Sequence, residues 1–240
     1  MTRPETVLAA VRKALTSEAR IDLPHHPLRL SWHGGDLTIE GEVADVAAKK
    51  LALERSAAVS GVTAIVDRLR VRPAQVMGDD DIRDHVRDAL LQEPGLAACA
   101  LVARDKGEDI DVRLPDPAHG SITVAVHDGV VTLDGEVPGL AQKRIAGVLA
   151  WWVPGSRDVI NGLEVSPAEA DNAGEIVDAV RLVLEKDPFV NASEIRVSAR
   201  RAAVALDGLV TTSVEREMAE FDAWYVFGVD RVINRIKVRA

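Results

Sequence analysis

The sequence is short of what most chemistries require. It holds one cysteine, Cys99, so no internal disulfide can form. Cys99 lies in LAACALV, an apolar setting that predicts a buried, inert thiol. No apolar run approaches the roughly 18–20 residues of a membrane-spanning helix. The N-terminal stretch MTRPETVLAAVRKALTSEA sets Glu5, Arg12 and Lys13 into its apolar pattern, and no continuous apolar segment or cleavage site follows. No secretion signal is read there, and the expected compartment is the cytoplasm. No G-x-S-x-G, P-loop or dinucleotide fingerprint occurs. The six histidines, His25, His26, His33, His85, His119 and His127, have no metal-ligand spacing. The segment DKGEDIDVRLPD (105–116) sets oxygens at alternate positions, as calcium loops do. It has Ile110 where such loops need glycine and ends on Asp116 rather than Glu, so it reads as a solvated acidic loop. The expectation is no enzyme, no metal and no cofactor.

Basic charge is also in deficit, at a net −9. Residues 1–74 carry 11 basic and 9 acidic groups, residues 75–170 carry 8 and 17, and residues 171–240 carry 10 and 12. The acidity therefore sits in the middle third, and bulk nucleic-acid binding is not expected. A hydrophobic content of 47% and a mean hydropathy of +0.03 describe a folded chain that does not span a membrane.

What is present is repetition. Three copies align without gaps on Gly41, Gly135 and Gly208, in LTIEGEV, VTLDGEV and VALDGLV. Twenty residues on, each has a second glycine, Gly61, Gly155 and Gly228, and thirty residues on each closes at Val71, Val165 and Val238. Upstream stand VRKAL, VRDAL and VRLVL. Val7, Val11 and Leu15, and their counterparts Ile82, Val86, Leu90 and Ile176, Val180, Leu184, share one helix face. Thr2 with Glu5, Asn172 with Glu175, and Thr212 with Glu215 look like capping boxes. Two alternating strands follow, then a second helix over roughly 45–59, 139–153 and 212–226, then a third strand. The second glycines fit left-handed helix C-caps. Each copy reads α-β-β-α-β: an α+β fold of three tandem units, each with two helices on one face of a small three-stranded mixed sheet.

The spacing from the VR valine to the anchor glycine is 30, 49 and 28, so the middle copy holds an insertion near 101–120. Pro115 and Pro117 predict a loop there. The expected units are 1–74, 75–170 and 171–240, joined by short linkers.

The motifs VTLDGEV, VALDGLV, VINGLEV and FGVDRVINRIKV resemble the BON domain, the bacterial OsmY and nodulation module. The first copy departs most, with Asp67 where the others have Asn161 and Asn234. The resemblance implies a stress-associated binding module, with phospholipid as the usual proposed ligand. One relative in the cytoplasm carries a LysM domain as well and binds potassium, which leaves an ion-responsive stress protein as the alternative.

Two sets of residues are candidates for contact. Trp152 and Tyr225 align with apolar helix positions and are expected in the core; Trp151 and Trp224, rotated by about 100°, are expected at the edge of the buried face. There they pack between repeats or touch a membrane or partner. The strand alternation places Arg68, Arg70 and Arg72 on an open sheet face beside Arg29, and Arg235 and Lys237 on another beside Arg196 and Arg200. The plain reading is a solvated face; the functional one is an anionic headgroup or a protein partner.

Overall fold

Apolar residues one helical turn apart build the first helix of every copy. Val7, Val11 and Leu15 are buried on α1 (Pro4–Thr16), which opens on a proline whose missing N–H costs a helix start nothing. The computed structural model describes residues 3–239, so the capping role expected of Thr2 lies outside the described residues. It contains two compact units, residues 1–72 and 73–240.

In the first unit α1 is followed by β1 (Arg29–His33), β2 (Asp36–Val43), α2 (Val46–Ala57) and β3 (Ala64–Val71). The sheet order is β1-β2-β3, antiparallel then parallel, and α2 supplies the crossover that a parallel pair needs. Leu37, Ile39, Val43, Leu69 and Val71 are buried on one side of the sheet, with the buried residues of both helices.

The second unit holds two more copies. The first has α3 (Asp79–Gln92), β4 (Ala100–Asp105), β5 (Glu108–Arg113), β6 (Ser121–His127), β7 (Val130–Val137), α4 (Leu140–Trp152), β8 (Asp158–Asn161) and β9 (Glu164–Val165). The second has α5 (Ala173–Lys186), β10 (Ile195–Arg200), β11 (Ala203–Val210), α6 (Ser213–Tyr225), β12 (Arg231–Asn234) and β13 (Lys237–Val238). Asn172 caps α5 by accepting from the N–H groups of Gly174 and Glu175, and Thr212 caps α6 by accepting from Glu215. One continuous apolar core runs through both copies, from Ile82 to Ile236. Arg144 of α4, only 1% exposed, joins them: its Nη2 donates to Asp171 Oδ1 at 2.6 Å and its Nε to the Phe227 carbonyl at 3.1 Å.

The expected loop at 101–120 is a correction. β4 and β5 form a hairpin whose two-residue turn, Lys106 and Gly107, has positive φ at both positions, the geometry hairpin turns favour. β4 pairs parallel with β6 and widens that sheet, with Leu101 and Ala103 buried in it. Arg113 fastens the hairpin by donating to the carbonyls of Leu96 and Cys99 at 2.6 and 3.1 Å.

The anchor glycines are explained by close approach. A Cβ on Gly135 would collide with the carbonyl oxygen of Ser121, and one on Gly208 with that of Glu194. The second glycines lie two or three residues past the helix cap, in the turn to the third strand, rather than at the cap. Gly61 and Gly228 do have φ near +90°, but Gly155 does not. Gly155 is required for space, since a Cβ there would stand 2.7 Å from Met77 Cβ and 2.9 Å from Ile82 Cγ1.

The Asp/Asn difference in the third strand is compensated. Asn161 Nδ2 donates to the Lys143 carbonyl, and Asn234 Nδ2 to that of Arg216. Asp67 has no such donor. The residue at the matching helix position, Lys49, instead sends a buried ammonium to Asp67 at 2.9 Å and to the Leu69 carbonyl at 2.9 Å.

Candidate functional site

Two places in the fold are candidates for contact with a ligand. The first is the sheet face turned away from the helices. In the first unit Arg68 and Arg72 are exposed and Arg70 half-buried, alternating with buried Leu69 and Val71 as expected. Arg29 is not directly beside them. Glu40 of the central strand stands between Arg29 and Arg68 in the register and pairs with Arg29 at 2.9 Å, and Glu42 stands opposite Arg70. With Asp36 on the same side, this face carries four basic and three acidic groups. The picture of a face of one sign is corrected: the central strand threads acids between the arginines.

The third copy repeats the row with a different outcome. Asp207 lies between Arg196 and Arg235, and Arg235 grips it with two bonds of 2.8 Å. That pairing holds the Asp207 carboxyl below its ordinary value through the Arg235 hydrogen bonds. Asp207 is the one acid on this face of the strands β10 to β13. Around it are Arg196, Arg200, Arg235 and Lys237, and also Arg231, which sequence alternation could have found had it been followed to the start of β12. The side chains of Arg200 and Lys237 make no hydrogen bond or ion pair among the described residues, and the same holds for Arg68 and Arg72 in the first unit. Ile233 and Leu209, 41% and 39% exposed, lie among the third copy's charges. In the middle copy the matching row is Thr123, Asp134 and Gly162, with no arginine.

The second place is a cavity of about 370 Å³ in the second unit, where α4 of the middle copy meets α5 and α6 of the third. Trp151 and Tyr225 line it as a stacked pair, ring centroids 5.9 Å apart and planes 13° from parallel. Trp152, Phe221 and Phe189 complete an aromatic wall, with Phe189 71% exposed at the rim. Two carboxyls, Asp187 and Asp222, are also in the lining. Asp222 is 2% exposed; its Oδ1 accepts from Trp152 Nε1 at 2.9 Å, and its Oδ2 is buried without a hydrogen-bond partner among the described residues. Burial pushes its pKa up to about 8, against the Trp152 hydrogen bond and with the help of neighbouring Asp187.

The tryptophan assignments change accordingly. Trp224, expected at an edge, is 1% exposed and cannot be a surface contact. Its edge is covered because α6 packs on both α5 and α4 as well as on its own sheet. Trp151 is half-buried and does bridge the repeats through Tyr225. Trp152 and Tyr225, expected in the core, line the cavity and are only partly buried.

The other residues singled out resolve plainly. Cys99 is buried, which pushes its thiol up. The calcium-loop pattern is the β4–β5 hairpin, where Asp105 pairs with Arg83 and Asp109 with Arg104. His25 bonds Asp22 in an exposed turn. Folding does bring Asp79, His127 and Asp128 together, which spacing did not reveal. The Asp79 carboxylate accepts from the N–H groups of Asp128 and Gly129, so it ties the β6–β7 turn to the start of α3.

Comparison with known proteins accounts for the whole pattern. The BON domain model matches three times, over residues 5–73, 78–167 and 172–240. The outer membrane lipoprotein DolP of Haemophilus influenzae is 32% identical over 124 residues, 50% of this chain and 64% of that protein. The chain therefore spans a little under two thirds of that relative's length. Two structures of CdsD, a structural protein of the type III secretion system of Chlamydia trachomatis, align at TM-scores of 0.27 and 0.25. The first, its C-terminal domain, is 12% identical and covers 100% of both chains; the second is 13% identical and covers 98% of this chain and 92% of that one. At these scores the likeness carries no argument. With three family matches running almost end to end and the α-β-β-α-β order in each, interrupted in the middle copy by the β4–β5 hairpin, the chain belongs to the BON domain family.

Proposed function

We propose that the protein is a non-catalytic binding module that contacts anionic phospholipid through the open sheet face of its third repeat. The observation that carries this reading is the charge on that face. Arg196, Arg200, Arg231, Arg235 and Lys237 stand against the single acid Asp207, in a chain of net charge −9. Each basic side chain near an anionic surface contributes about 1 kcal/mol, so the four left after one is offset by Asp207 suffice for weak, reversible attachment. Exposed Ile233 and Leu209 supply apolar contact at the same face. Family membership and a relative named as an outer membrane lipoprotein support a membrane-linked role. The first repeat's face, four basic against three acidic groups, contributes little.

Vesicle flotation tests the reading. Phosphatidylglycerol vesicles should carry the protein at low salt and release it at high salt, because surface attraction is screened. The double change Arg200→Glu with Lys237→Glu should abolish flotation without lowering the melting temperature, since neither side chain is engaged in the fold. Absence of flotation by the parent protein at low salt, or unaltered flotation of the double variant, refutes it.

A further inference from the structure

The aromatic cavity of the second unit is not explained by headgroup attraction at a sheet. The chain has only four Trp, three Phe and one Tyr, yet five of these eight rings line this one space. Its volume of about 370 Å³ falls in the range of small-ligand sites. Its acidic side chains are two carboxyls, and no lysine or arginine lines it. An anion would therefore meet like charge. A hard metal ion would find too few oxygens among the rings and Met218, since such ions take six or more. A neutral apolar molecule would leave the Asp187 carboxylate in the lining without a counter-charge. An organic cation satisfies every feature. Its positive charge is attracted to ring faces, its alkyl groups suit an apolar wall, and a carboxylate balances it.

We propose that the cavity between the second and third repeats binds a small organic cation, a quaternary ammonium or an alkylated amine. Trp151, Tyr225 and Phe189 form the aromatic wall, and Asp222 and Asp187 supply the counter-charge. Asp222 holds its proton near neutrality, with a pKa of about 8. Cation entry then releases that proton to solvent and leaves a carboxylate paired with the bound charge. The groups that act on Asp222 are Asp187 at the end of α5 and the Trp152 indole on α4, and Tyr225 lines the same cavity. Affinity accordingly rises with pH up to about 8 and levels off above it.

The test is a titration of the full chain followed by tryptophan fluorescence, with ionic strength held constant by sodium chloride. The probes are tetramethylammonium, choline and the neutral choline isostere 3,3-dimethylbutan-1-ol. Saturable binding of the cations, about tenfold tighter than the isostere, is expected for a desolvated ring–cation contact. Asp222→Asn keeps the shape and should remove that preference, and Phe189→Ala, at an exposed rim, should weaken binding while leaving the fold intact. A second arm uses phosphatidylcholine vesicles. Capture that depends on Asp222, with no response to free choline, makes the cation a lipid headgroup and still supports the site. This is separable from the sheet face, because the Arg200 and Lys237 reversals leave it unchanged. Equal binding of the isostere, undiminished cation binding by Asp222→Asn and Phe189→Ala, or no response in either arm overturns the proposal.

Discussion

At the scale of single residues, Asp222 sets the pH dependence of the second unit. Its pKa is about 8 in the folded chain against an ordinary 3.8. Such an acid holds its proton more tightly when folded, so its contribution is complete below pH 4 and is lost as pH climbs towards 8. Melting temperature should therefore fall between pH 5 and pH 9, and Asp222→Asn should flatten that slope and raise the alkaline value. Lys49 gives a second prediction. It is 7% exposed and answers the carboxylate of Asp67. Lys49→Ala should cost about 2–4 kcal/mol in chemical denaturation, through a partly buried carboxylate left without its cation. Asp67→Asn should cost a similar amount, because an amide oxygen kept on the Leu69 N–H turns its NH2 against the buried Lys49 ammonium. The sequence made the Asp/Asn difference visible but not its cause, since the answering residue lies 18 positions upstream on a helix. The tryptophans were misread for a related reason. Helical spacing tells which residues share a face with the copy's own core, and it is blind to a helix of another copy that packs on the same element, as α4 packs on α6.

At the scale of elements, the three copies were fully legible. Glycine spacing, apolar periodicity and the caps at Asn172 and Thr212 all point to the same order of elements. The insertion was not. Its charge density and prolines suggested a loop, while the turn signal Lys106–Gly107 between alternating residues was present and outweighed. The prolines stand after β5 rather than inside it, so they end the hairpin instead of forbidding it. Arg113 is the fastening of this hairpin, with hydrogen bonds to the Leu96 and Cys99 carbonyls. Arg113→Ala should lower stability by about 2 kcal/mol, read as a drop of roughly 4–8 °C in melting temperature for a unit of this size. The same variant should speed amide exchange in β4 and β5 more than in β10 to β13, where only the lowered global stability is felt. Protection that is uniform across both sheets would show that the hairpin is not a separately anchored element.

At the scale of the whole molecule, the apolar core that runs from Ile82 to Ile236 makes the second unit one cooperative body. A fragment of residues 73–240 should unfold in a single calorimetric transition, and one of residues 171–240 should not hold its structure. Arg144→Ala is the sharpest probe, since it removes a side chain 1% exposed that links α4 to Asp171 and Phe227. A loss of about 3 kcal/mol is expected, with both repeats melting together at the lower temperature. If the two repeats of that fragment melt apart instead, the shared core does not couple them. The placement of Arg144 also bears on descent. A recombination event that cut the gene near codon 170 would part an arginine from both of its partners and expose the wall of the cavity. The second and third repeats should therefore be inherited as one cassette, and chains that gain or lose a repeat by shuffling should do so on the other side of Arg72.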